Sequence, residues 1–211
     1  MRRLIAGISV ALALALSACA NVLAPPAAVI GSHKIATKTI TDALHSFQKS
    51  AQFQQAAQQS GPLVVARQFE QSYLSRLIRR YILTIHARQL GVTVTSGDID
   101  RALTQLQKRF GSQSAFNKAM RQQGLTLAQT RVLLRDNVLE RKLQSKIAAL
   151  HKAGKEDLAW SRWLIAAYRA AHVKVNPTYG VLDIQNQSVV DSSFFPGAAT
   201  PSPTPTPSPS G

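Results

Sequence analysis

The chain of 211 residues has one cysteine, Cys19, so no disulfide forms within it and no Cys-based zinc site is available. Acidic residues are scarce, 10 Asp and Glu against 25 Lys and Arg, which gives a net charge of +15. The five histidines (His33, His45, His86, His151 and His172) are scattered, with no His-x-x-x-His pairing to suggest a metal site. A phosphate-binding glycine loop, a Gly-x-Ser-x-Gly elbow and a Ser/His/Asp arrangement are all missing. The sequence therefore offers no catalytic residues, no metal ligands and no cofactor. Long apolar runs are absent too. Leu4 to Leu16 is apolar apart from Gly7 and Ser9, but thirteen residues fall short of the roughly 20 that span a bilayer as a helix.

That short stretch follows Met1-Arg2-Arg3, and a charged start before a short apolar core is the pattern of an export signal. It ends in Leu16-Ser17-Ala18-Cys19, which resembles the lipobox of bacterial lipoproteins. The resemblance implies cleavage between Ala18 and Cys19, a lipid on the Cys19 thiol, and a mature chain tethered on the outer side of the cell membrane. An ordinary secretory signal cleaved nearby is the alternative. A lone thiol in an exported protein is a liability, whereas a lipidated one is not.

The expected organisation is a signal over residues 1–18, a lipid-anchored linker over 19–26, a folded body over 27–191 and a Pro/Ser/Thr tail over 192–211. In the tail, residues 200–209 alternate strictly with proline, which favours an extended, solvated segment; an O-glycosylated, wall-threading stalk is the alternative. Without Arg2 and Arg3, 23 basic residues face 10 acidic ones, a mature charge of +13. Such a charge suits anionic lipid, wall polymers or acidic polypeptides, and export argues against nucleic acid as a partner. The basic residues are spread along helices rather than massed, so a solvated face is the default.

The body reads as mainly α. A first helix is expected from about Thr41 to Gln58, ended by Ser60-Gly61-Pro62. Phe69, Tyr73, Leu74, Leu77, Ile78, Tyr81, Ile82 and Ile85 recur at steps of three and four, which predicts one long helix stopped by Gly91. Thr95 and Asp98 form a capping box that opens a helix carrying Ile99, Leu103, Leu106 and Phe110. A short helix holds Phe116 and Met120, with Gly124 closing it in a left-handed conformation. Thr126 and Gln129 launch another long helix, and Asp157 to Ala171 forms the last.

Short β-type pieces at Ala28–Ile35 and Val173–Val175 are expected to pair the two ends of the body in a small sheet. Phe69, Tyr73 and Tyr81 read as core. Phe116 and Met120 read as packing, with a polarizable contact surface as the alternative. Asp98 and Asp100 suit a helix start, and Asp136 and Glu140 read as a salt-bridged face rather than an acid/base pair.

Taken in order, these segments resemble a known family. Leu77–Leu83, His86–Thr95, Asp98-Ile99-Asp100, Phe110-Gly111, Phe116, Gly124-Leu125-Thr126 and Leu133-Leu134-Arg135 are similar to the helical body of SurA N-terminal domains. Ala28–Gly31 and Val173–Gly180 resemble the paired strands at that domain's ends. The resemblance implies an extracytoplasmic chaperone that binds unfolded or partly folded exported polypeptides, and it singles out no residue for client contact. Many relatives carry a parvulin prolyl isomerase domain late in this body. Only about thirty residues separate Leu143 from Val173, against the hundred or so an inserted domain needs, so isomerase activity is not carried over. A structural or adaptor lipoprotein gripping one envelope partner or the wall is the other reading.

Overall fold

The computed structural model describes residues 24–150 and 156–192. Ala18, Cys19 and the Pro/Ser/Thr tail beyond Ser192 lie outside the described residues. The chain enters through strands β1 (Ala28–Ile30) and β2 (His33–Ile35). Helices α1 (Thr37–Gln48), α2 (Ala51–Ser60) and α3 (Pro62–Gln89) follow. Next come α4 (Ser96–Lys108), α5 (Gln113–Gln122), α6 (Leu127–Ala149) and α7 (Glu156–Ala170). Strands β3 (Lys174–Val175), β4 (Val181–Asp183) and β5 (Ser188–Val190) complete the described part.

The expected joining of the two ends is present. β1 lies between β2 and β3, antiparallel to both, with Ala28 opposite Ile35 on one side and Val175 on the other. Asn176 N–H donates to the Ala27 carbonyl at 2.9 Å, which extends the seam. Residues nearly 150 apart in sequence thus share one ladder.

Helix α3 is the spine, 28 residues and so about 42 Å long. Pro62 sits at its start, where a missing N–H removes no helical bond. Leu74, Ile78 and Ile82 are fully buried at the predicted spacing and pack with Ile40 of α1, Leu143 of α6, and Leu164 and Tyr168 of α7. Each such aliphatic side chain contributes roughly 1.5–3 kcal/mol on leaving water. Leu83 and Ala87 are buried as well, so α3 is covered on more than one face.

Both capping boxes form. Thr95 accepts from Asp98 N while Asp98 accepts from Thr95 N, and Thr126 and Gln129 repeat the exchange. Phe116 and Met120 are buried, Phe116 edge-on to Phe110 with centroids 5.7 Å apart, so packing is their role.

The expected first helix, Thr41 to Gln58, is instead two. The chain breaks at Lys49–Ser50 because the Ser50 side chain ends one helix and starts the next. Its hydroxyl donates to the Phe47 carbonyl at 2.7 Å and accepts from Phe53 N at 3.1 Å. A second addition is the β4–β5 hairpin, paired Val181 with Val190 and Asp183 with Ser188. It is held to α3 by Arg67, Gln71 and Ser75, spaced four apart on one stripe. Buried Gln71 donates to the Tyr179 carbonyl and to Asp191 Oδ1, at 3.2 and 2.8 Å. Ser75 Oγ accepts from Val189 N at 2.7 Å. Arg67 grips Asp191 Oδ1 through Nε and Nη2 and also donates to the Thr178 carbonyl.

Candidate functional site

The break at Ser50 has a consequence for the surface. It turns α2 away from the line of α1 and leaves an open cleft of about 940 Å³ between α1, α2, α3 and the α5–α6 turn. Pockets that hold small ligands run to roughly 300–1,000 Å³, so this one has room for several side chains.

Its floor is aromatic. Phe47 of α1 stacks on Phe69 of α3 with centroids 4.4 Å apart, and Phe69 stacks on Tyr73 at 5.6 Å. Phe69 and Tyr73 are four apart on a helix and so lie one above the other. Phe53 closes the row edge-on to Phe47 at 5.5 Å. Phe47, Phe69 and Tyr73 are half-buried. Tyr73 packs against the core as expected while also bordering the cleft, whereas Phe69 lies outside the core cluster, which corrects the expectation for Phe69. Helical spacing put Phe69 on the inner face, where Phe47 of α1 stacks on it but the cleft leaves it partly open. Tyr81 is half-buried and packs against the core as expected, stacked on His33 with centroids 4.0 Å apart.

The far wall depends on Gly124. Its φ of +66° ends α5, and a Cβ there would stand 3.1 Å from Ser50 Cβ. The α5–α6 turn and the α1–α2 corner therefore meet at a point where a side chain is crowded. Leu125 and Leu133 line that wall, and Gln52, Gln68, Gln123 and Gln129 supply neutral polar groups. The Arg76 guanidinium lies 4.8 Å from the Tyr73 ring centroid, within cation–π range.

Beside the cleft, α3 meets α6 through two ion pairs. Arg79 holds Glu140 with two bonds of 3.1 and 2.6 Å, and Arg80 holds Asp136 at 2.6–2.8 Å. Asp136 and Glu140 are thus salt-bridged as expected, but to the neighbouring helix rather than along their own. A carboxylate held this way is a poor proton shuttle. The buried Tyr168 hydroxyl sits close to the Arg79 guanidinium without a well-formed hydrogen bond, and burial pushes its pKa up to about 12.

Asp98 joins α4 to α6, with Lys142 Nζ at 2.5 Å, and Asp100 pairs with Arg131 at 2.8 Å. The Lys142 ammonium first, and the Thr95 N–H second, hold the Asp98 carboxyl far below its usual range. Among the described residues, His86 meets Trp163 edge-on, and no group of three or more His, Cys, Asp or Glu side chains converges. Nor is any described helix long and apolar enough to cross a membrane.

A family model for the SurA-like N-terminal domain matches residues 3–144, two thirds of the chain. The chain belongs to this family. The match covers β1 through most of α6, and therefore every residue of the cleft. Helix α7, strand β3 and the β4–β5 hairpin lie beyond it. No curated protein and no solved structure matches the chain. The SurA N-terminal domain is a non-catalytic, chaperone-type domain. Residues 151–155, between α6 and α7, lie outside the described part.

Phe69 and Tyr73 were read as core, and Gly124 and Gln129 as helix punctuation; none of them was read as lining a cleft. The available signal was Ser50 itself, a residue type favoured at helix starts, inside an otherwise helical run.

Proposed function

We propose that the protein is a membrane-tethered chaperone that holds unfolded or partly folded exported polypeptides, without catalysis, in the cleft between α1, α2 and α3. The aromatic row Phe47–Phe69–Tyr73, open to solvent, is the observation that carries this reading. An apolar floor with neutral amide groups around it binds side chains by burial rather than by a fixed hydrogen-bond code, so affinity is modest and sequence-tolerant. Family membership supports the same class of client. The tether is the lipid on Cys19, which keeps the cleft at the face where exported chains emerge unfolded. The excess of basic residues adds an attraction to anionic lipid or wall polymer.

The full chain at stoichiometric excess is expected to slow aggregation of a chemically unfolded client, and Phe69→Ser to weaken that effect. No suppression by the wild-type chain overturns the reading. Crosslinking in the envelope separates it from the adaptor alternative, since many unrelated clients support a chaperone and one dominant stoichiometric partner overturns it.

A further inference from the structure

Resting on the cleft reading above, we infer that Arg76 gives the cleft a preference for apolar segments flanked by a carboxylate. Helix α3 carries three arginines where it borders the cleft and the α3–α6 seam: Arg76, Arg79 and Arg80. Two are matched, Arg79 by Glu140 and Arg80 by Asp136. Arg76 makes no ion pair among the described residues. Asp136 acts on it from a distance but is already engaged by Arg80. The cluster therefore holds three cations against two anions, and the odd cation is the one that faces the cleft.

The opposite wall does not compensate. Asp42 lines the cleft, and both its oxygens lie 2.8 Å from Lys38 Nζ. The other polar groups that line the cleft are neutral amides and hydroxyls. An incoming polypeptide that lays an aromatic ring on Phe69 and Tyr73 brings its neighbouring residues to the Arg76 guanidinium, 4.8 Å from the Tyr73 ring. A carboxylate there completes the unmatched pair, whereas a lysine meets a like charge. Guanidinium suits this role because it presents several donors in a rigid fork and stays protonated, even with its pKa lowered by partial burial. The excess of basic residues over the whole chain steers acidic segments toward it.

The test uses two ten-residue peptides that share one Phe and differ by Glu or Gln two positions away, titrated against the full chain. The Glu peptide is expected to bind about three- to five-fold more tightly, the range of a partly exposed ion pair. The preference shrinks as salt is added. It disappears in Arg76→Gln and persists in part in Arg76→Lys, with thermal unfolding confirming that both variants fold. Equal affinity for the two peptides, or a Glu preference that survives in Arg76→Gln, overturns the role of Arg76 and leaves the cleft intact. Binding that does not weaken in Phe69→Ser overturns the cleft and this inference with it.

Discussion

Replacing Gly124 by alanine probes the joint that shapes the cleft, and Gly91 provides the control. Both glycines have φ of +66°, so a new Cβ meets the same backbone penalty at each, about 1–2 kcal/mol. Gly91 has nothing within 4 Å of the added atom, whereas at Gly124 it would lie 3.1 Å from Ser50 Cβ. Ser50 is buried and bonds to both Phe47 and Phe53, so it is not free to retreat. Overpacking of a fixed neighbour adds about 1–2 kcal/mol at Gly124 alone. For a chain of this size each kcal/mol lowers Tm by about 2–4 °C, so Gly124→Ala should fall about 2–8 °C further than Gly91→Ala. Changes in unfolded-chain entropy are the same for the two substitutions and cancel in the comparison. Thermal unfolding of the full chain, followed by circular dichroism, reads the difference. Repeating the pair in a Ser50→Gly background removes the crowded atom at little capping cost, and the gap should close. Equal losses for the two single variants would show that the corner and the turn are not pressed together.

Three further outcomes follow from particular contacts. Asp98→Asn should lower Tm at neutral pH. The native carboxyl's depressed pKa stabilises the fold above the unfolded value of about 3.9 and loses that effect as pH falls below it. The gap between wild type and variant should therefore narrow in acid, and a gap independent of pH would contradict the Lys142 contact. Asp191→Ala removes the acceptor shared by Arg67 and Gln71, with a loss of about 1–2 kcal/mol and faster amide exchange in β4–β5, whereas unchanged exchange there would refute the latch. Cys19→Ser should release the protein from the membrane fraction with its helical content intact, and a variant that stays membrane-bound after signal cleavage refutes the lipid tether.

Much of the architecture was legible because local signals and tertiary packing agreed. Thr95 and Thr126 mark helix starts by chemistry that acts over three residues, and the Leu74–Ile78–Ile82 spacing identified the buried face of α3. The pairing of β1 with β3 was also visible, since both ends carry short β-type runs. The β4–β5 hairpin was not. Its strands have three residues each, and Gln187 takes a φ of +50° where glycine or asparagine would have advertised a turn. The turn is instead organised by the Asp183 carboxylate, which accepts from Gln185 N and Asn186 N. Nothing local to Arg67, Gln71 and Ser75 says that a hairpin will cover them. The cleft was hidden for the converse reason. Aromatic residues at helical spacing look like core until the path of the remaining chain leaves part of them uncovered, and here that path changes direction at Ser50.

The most direct test of the cleft places a photo-crosslinking side chain at Gln68, on its wall, and a second at Arg169, exposed on α7. Each full-length variant is mixed with an unfolded client and irradiated. Strong client adducts from position 68, few from position 169, and loss of the former in Phe69→Ser are the result expected. Equal labelling from both positions, or none from position 68, would contradict a client site in the cleft.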